Sequence, residues 1–313
     1  MAFKWEKYGL IFRPGSAYGW MNSHAQVPTV LPIEDEGIVR VYFATRPRQS
    51  LSQTTFVDLD MERLDRVVRL HSQPILPLGE PGMFDEHGIM PSSVIRHEGL
   101  VYLYYSGWSR GGSLPYQNYT GLAVSDDGGV TFNRASRGPV LDRTPLEVYS
   151  ATSPHVHREG DRWWMFYCAG TAWLEIHGKL EHTYDIKVAH SSDGVSWVQK
   201  GDVVIPQKRE DEALTKPTLA RIGDRYHLWF CARGCSDFRG GADAYRLGYA
   251  TSEDLKHWVR DDASAGLTAG CEGEWDNEMV AYPAFTEFAG ERWMFYNGNG
   301  FGREGFGLAR LSA

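Results

Sequence analysis

Only four cysteines, Cys168, Cys231, Cys235 and Cys271, are spread through 313 residues, and no two stand in CxxC spacing. That is too few for a disulfide framework in a chain of this length, so they are read as thiols. Cys168 and Cys231 fall at matching points of two similar strands, "MFYCAG" and "LWFCAR", where a small buried side chain is expected. Apolar runs are strand-sized, and none approaches the roughly 18 to 20 residues of a membrane span. The N-terminal "MAFKWEKYGLIF" lacks the zones of a signal peptide, which makes the cytoplasm the expected compartment. Runs of Lys and Arg are also missing, and the formal net charge is -8. That balance argues against nucleic acid or an anionic membrane and leaves a small molecule as the expected partner.

What is present is a repeat. Five prolines, Pro28, Pro91, Pro154, Pro217 and Pro283, are spaced 63, 63, 63 and 66 residues apart. Each leads a short strand, a turn with Gly, and an aromatic-rich strand: "IVRVYFATR", "LVYLYYSGW", "RWWMFYCAG", "YHLWFCARG", "RWMFYNGNG". Apolar and β-branched runs bounded by Gly and Asp are strands by length and composition. A polar loop follows, then a third strand such as "TGLAVSDDG" or "DIKVAHSSDG", and a fourth led by an aromatic, such as "WVQKGDVVI". Four-stranded units repeated five times predict an all-β, five-bladed β-propeller forming a single domain over residues 1–313.

The last unit stops after its third strand, "GFGLARLSA", while "FKWEKYGLIFRP" at residues 3–14 resembles the fourth-strand segment "VSWVQKGDVVIPQ". The N-terminal strand is therefore expected to complete blade five and close the ring. "SDDGGVTF" at 125–132 fits an Asp-box, and "SSDGVSW" at 191–197 is a shortened version. Both are expected to be structural turns between third and fourth strands, with Asp bonding its own backbone. "IRHEG" and "VHREG" join first to second strands, which puts His97 and His157 on the opposite face from the segments leading into the prolines.

First strands of a propeller line its axis, so the leading segments should crowd one mouth: "NSHAQVP", "DEHGIMP", "EVYSATSP", "DEALTKP" and "DNEMVAYP". Four of them carry acids: Asp85 and Glu86, Glu147, Asp211 and Glu212, Asp276 and Glu278. Five residues before the proline stand Ser23, Glu86, Tyr149, Glu212 and Glu278. Converging carboxylates suit general acid and base work, although loop acids also cap turns. His24 and His87 stand four residues before their prolines and suit proton transfer or hydrogen bonding near neutral pH. With His155 they form a weaker candidate for a central metal ion, and no cofactor is otherwise implied. Loops between second and third strands add Trp108, Tyr116, Tyr119 and Trp173 for stacking, and Arg46, Arg48, Arg110, Arg233, Arg239 and Arg303. Arg46 and Arg233, at nearly the same depth of the repeat, are the expected anchors of an anionic ligand.

These features together resemble the superfamily of arabinanases, β-xylosidases, invertases and levansucrases, with the mannoside phosphorylases, and the resemblance spans the whole chain. It implies a carbohydrate-active enzyme: a hydrolase, phosphorylase or transferase using carboxylates at the funnel mouth. By position, the family's second-blade acid corresponds to Asp85 or Glu86, and its later general acid to Glu147, Glu175 or Glu212. The departure lies in blade one, where the family's aspartate is replaced by Asn22, Ser23, His24 and Gln26 in "NSHAQVP". The expected catalytic set is Glu86, Glu212, Asp85, His87 and His24, with no metal. The expected binding set is Arg46, Trp108, Tyr149, Trp173, Arg233 and Glu278, acting on a saccharide or anionic sugar derivative. The alternatives are an isomerase or cyclase on the same scaffold, and a saccharide-binding propeller without catalysis.

Overall fold

A computed structural model describes residues 3–15, 18–47 and 51–312, so Arg48 lies outside the described residues. The chain is built almost wholly of strands, and antiparallel pairing gathers them in fours. β1 (Trp5–Phe12) opens the chain, followed by β2 (Ser23–Ile33), β3 (Ile38–Arg46), β4 (Gln53–Asp60) and β5 (Val67–Leu70), which form one sheet in sequence order. Next come β6 (Gly88–His97), β7 (Leu100–Ser109), β8 (Gln117–Ser125) and β9 (Asn133–Arg134). β10 (Ala151–Glu159), β11 (Arg162–Ile176), β12 (Lys179–Ser191) and β13 (Val198–Ile205) follow, then β14 (Ala213–Ile222), β15 (Arg225–Arg233), β16 (Arg246–Ser252) and β17 (Val259–Arg260). β6 to β17 count as one twelve-stranded sheet, but successive fours are joined only by single parallel pairs, Ala151 to Tyr119 and Tyr184 to Ala213. β18 (Ala281–Phe288), β19 (Glu291–Asn297) and β20 (Phe306–Leu311) end the chain, and β1 pairs antiparallel with β20 to make the last four.

Every hydrophobic cluster that spans a seam draws on two neighbouring groups. Leu103 and Tyr105 of β7 pack with Tyr42 and Phe56, and Trp163 and Met165 of β11 pack with Tyr104 and Leu122. One cluster unites the first group with the last, joining Val39, Val41 and Phe43 to Phe12, Phe295, Phe306 and Leu308. Alternate strand residues face each side, so both faces of these sheets must be apolar, and this is why the second strands read as aromatic runs. The Asp-box turns behave as expected. Asp127 accepts hydrogen bonds from the Ser125 hydroxyl and the backbone N–H of Val130 and Thr131, and Asp193 does the same with Ser191, Val195 and Ser196. A third turn of this type, Ser252 with Asp254, lacks the Gly of the motif and is not evident from sequence. The four thiols are free, with Cys168, Cys231 and Cys235 buried.

The prolines explain how side chains reach the middle. Each first strand breaks register at its proline, between Gln26 and Thr29, Pro91 and Ser93, Thr152 and His155, Thr215 and Thr218, and Ala281 and Ala284. Proline cannot donate to the ladder, and a bulge there re-aims the preceding side chain. Four of the preceding residues take left-handed backbone angles: Val27 (φ 54°), Ser153 (49°), Lys216 (49°) and Tyr282 (54°). For a valine this is a costly conformation, held only because the surrounding sheet fixes it.

The N-terminal strand carries weight in this packing. Trp5 is buried against Trp229 and Phe285, and its indole N–H donates to the Ala265 carbonyl oxygen at 3.1 Å. Trp5→Ala should lower unfolding free energy by about 3–5 kcal/mol in denaturant titration. A loss under about 1 kcal/mol would show that β1 adds little to the last sheet.

Candidate functional site

The five bulges converge. Val27, Met90, Ser153, Lys216 and Tyr282, each the residue before a repeat proline, all line one cavity of about 530 Å³. Ends of second strands and the following loops complete its wall with Arg46, Trp108, Arg110, Tyr116, Arg233 and Arg239. Among the described residues the lining thus carries five cations, with Lys216 the fifth, and one carboxylate, Glu181. Glu181 is itself ion-paired to Arg239 at 2.9 Å. A cavity of this size and mixed apolar and polar lining suits a small molecule, and its excess positive charge suits an anion.

The cations differ in availability. Arg233 is buried and already donates to the carbonyl oxygens of Gly234 and His182 and to the Tyr245 hydroxyl, and it lies 3.9 Å over the Phe238 ring. It holds the wall and contributes charge. Arg46 lines the cavity and uses its Nε for Gln26 at 2.9 Å, and among the described residues the two terminal nitrogens of its fork are not engaged. Lys216 is 2% exposed and also lines a second cavity of about 220 Å³ with His155 and His157, so it stands at the neck between the two. Asn118 Oδ1 and Thr152 Oγ1 are buried polar atoms of the main lining without a hydrogen-bond partner among the described residues. Unpaired buried acceptors and hydroxyls are costly in a finished fold and are what a ligand can satisfy.

The acids of the leading segments are placed differently. Asp85 accepts from the Tyr105 hydroxyl at 2.9 Å and from Arg134 Nε at 2.8 Å. Glu147 accepts from the Tyr167 hydroxyl at 2.6 Å and from Gln199, with Lys187 at 3.5 Å. Asp276 accepts from the Tyr296 hydroxyl at 2.9 Å and from Lys7 at 2.7 Å. In each case the tyrosine is 20 residues on, on the second strand. In the fourth repeat the matching place in the second strand holds Phe230, and Glu212 is instead gripped through both oxygens by Arg260, which lies 5.2 Å over the Phe230 ring. These four carboxylates are buried and none lines the main cavity. Glu278 is an exposed loop residue, and Asp211 pairs with Arg209 at 3.1 Å.

Glu86 and His87 do not line the cavity but adjoin it through Trp108 and Arg110. Glu86 Oε2 accepts the Gly82 N–H, its other oxygen lies 3.5 Å from His87 Nδ1, and the His87 ring stacks 5.9 Å from Trp108. His24 contacts Ser23 at 2.7 Å, and burial, helped by Arg46 and Arg303, lowers its pKa to about 4, so it is neutral at pH 7. Trp173 and Tyr149 do not line the cavity; they pack around His182, with ring centroids 4.1 and 6.3 Å away. Gly170 makes that packing possible, since a Cβ there would fall 2.4 Å from His182 Nε2. Among the described residues no group of three His, Cys, Asp or Glu is disposed to hold a metal ion, so His24, His87 and His155 do not meet. Lys216, Glu181, Tyr184, Tyr245 and Tyr282 are lining residues that the sequence reading did not single out. The position before each proline was the signal for Lys216 and Tyr282.

Two curated proteins of Mycobacterium tuberculosis, named Uncharacterized protein MT1551 and Uncharacterized protein Rv1502, are each 34% identical to the chain over 308 residues, 98% of this chain and 99% of theirs. The chain belongs to the Rv1502 family. No family model matches this chain. Among solved structures, a glycoside hydrolase superposes with a TM-score of 0.76 at 17% identity, covering 100% of this chain and 93% of that one. A thermostable family-43 glycoside hydrolase gives 0.66 at 15%, over 96% and 92%. A GH32 β-fructofuranosidase of Bombyx mori, solved as a mutant with sucrose, gives 0.62 at 15%, over 97% and 62%. This member of the Rv1502 family therefore has the fold of these glycoside hydrolases.

The imidazoles of this Rv1502-family chain set a pH dependence. Burial lowers His24 to about 4 and His182 to about 3, against an ordinary value of 6.5. Between those limits the unfolded chain binds more protons than the folded one, so the contribution is complete above pH 6.5 and is lost as pH falls toward 4. Denaturant unfolding at pH 7.5 and 5.0 should show lower stability at 5.0, with a smaller drop in His182→Phe. An equal drop in that variant would mean His182 is not held neutral.

Proposed function

We propose that the strand groups are five blades closed into a single-domain ring around the main cavity, and that the protein is a carbohydrate-active enzyme for an anionic saccharide. Support for the ring comes from the pairing of β1 with β20, the cluster uniting first and last groups, and the five pre-proline residues around one cavity. The observation that carries the function is the lining itself, with Arg46, Arg110, Lys216, Arg233 and Arg239 against Glu181. A sugar phosphate, acidic sugar or nucleotide sugar meets that charge, while Trp108 and Tyr116 offer ring faces to a pyranose. Arg46 is the principal anchor, because its forked terminal nitrogens suit a phosphate or carboxylate.

Arg46→Ala should weaken binding of a hexose phosphate about 10- to 100-fold, the scale of a lost charge-assisted hydrogen bond, and leave the free hexose within about twofold. Calorimetric titration of both ligands reads this directly. Equal losses for the two would remove the anion site.

A second reading concerns proton transfer, and the contact among Glu86, His87 and Trp108 favours it. In this reading a carboxyl and an imidazole at the rim share a proton with a ligand stacked on Trp108. Glu86→Gln should then keep its fold and lose about a hundredfold in turnover of a phosphorylated saccharide, whereas unchanged turnover places the proton transfer elsewhere.

A further inference from the structure

We propose that Lys216 is an imine-forming amine, whose Nζ condenses with the carbonyl carbon of an anionic aldehyde or ketone, such as an open-chain sugar phosphate or keto sugar acid, seated in the main cavity. The inference rests on the anionic-ligand reading and names the chemistry its floor would perform.

The five pre-proline positions around the cavity carry Val27, Met90, Ser153, Lys216 and Tyr282, and Lys216 alone among them is an amine. It stands at the neck shared with the smaller cavity, 2% exposed and at a left-handed φ of 49°. The bulge at Pro217 fixes that placement. The ionisable groups felt most strongly by Lys216 are the thiols of Cys168 and Cys231, with His155 on the other side of the neck and Tyr282 in the same lining. Both thiols are pushed up to about 12 by burial and are neutral, and His155 is held well below the usual imidazole value by burial and by Lys216 itself. Among the described residues no carboxylate pairs with the ammonium, and burial lowers its pKa to about 8. A desolvated lysine of this kind carries an available lone pair near neutral pH. The Thr152 hydroxyl, unpartnered among the described residues, lines the same cavity and supplies a hydrogen bond for the carbinolamine oxygen.

The step balances without a co-reactant. The Nζ lone pair forms the N–C bond while the carbonyl π pair moves to oxygen, and one amine proton passes to that oxygen. The remaining N–H proton then leaves with the hydroxyl as water while C=N forms. One water is released and nothing is oxidised or reduced.

The test uses the full-length protein with pyridoxal 5′-phosphate as the anionic aldehyde and pyridoxal as its phosphate-free analogue, followed by borohydride reduction and peptide mass spectrometry. Labelling by the phosphate ester should reach Lys216 at least about tenfold faster than the exposed Lys4, Lys179, Lys200 and Lys256, and inorganic phosphate should slow it. Lys216→Met should lose this label, and if that variant does not fold, the wild-type peptide map decides alone. Preferential labelling of Lys216 by both aldehydes at equal rates upholds the amine and overturns the anion reading. Labelling of Lys216 no faster than the surface lysines overturns the amine, and a melting temperature still raised by the phosphate ester in that case leaves the anion reading standing.

Discussion

A buried carboxylate receiving a tyrosine hydroxyl from 20 residues further on is the interaction around which three of the repeats are arranged. An ionised acid inside a sheet protein is costly unless charge and hydrogen bonds compensate it. Asp85 has Tyr105 and Arg134, Glu147 has Tyr167, Gln199 and Lys187, and Asp276 has Tyr296 and Lys7. Each tie fastens the segment leading into a first strand to the second strand and to an outer strand or its neighbour. Burial and the adjacent carboxylate push all three tyrosines upward, so the hydroxyls remain donors across the working pH range. The fourth repeat lacks the tyrosine and solves the same problem with Arg260, bonded to Glu212 and laid over Phe230.

This arrangement governs the charge of the middle. Because these acids are engaged within the sheets, the central lining receives its charge from second-strand ends, loops and the pre-proline position, and those supply Arg46, Arg233, Arg239 and Lys216. An acidic protein with a net charge of -8 thereby keeps a positive interior cavity. The proline bulges add the second constraint, since they hold Val27, Ser153, Lys216 and Tyr282 in left-handed backbone and turn their side chains inward. A shared fold thus supplies the scaffold while the site is set residue by residue.

The repeat, the strands and the Asp-box turns at Ser125 and Ser191 were legible in the sequence because spacing and alternation are local signals. Placement of Arg46 and Arg233 in one lining was legible for the same reason, as both end a second strand. The partners of the acids were not, since the ties of Asp85 to Arg134 and Glu212 to Arg260 span 49 and 48 residues and depend on how outer strands pair. Lys216 sat in view within "DEALTKP", but its inward aim follows from a bulge that only the register shift between Thr215 and Thr218 reveals. Trp173 looked like a stacking face and Tyr149 like a binding residue, and both instead pack against His182, which with Trp173 belongs to the long β11–β12 hairpin.

The measurement that tests this account most directly is a crystal structure with a pyranose phosphate bound. The account predicts the phosphate oxygens within about 3 Å of Arg46 and the sugar against Trp108 or Tyr116, with Asp85, Glu147, Glu212 and Asp276 still bonded to their partners. A ligand held by those four carboxylates, with Arg46 and Lys216 out of contact, would contradict it.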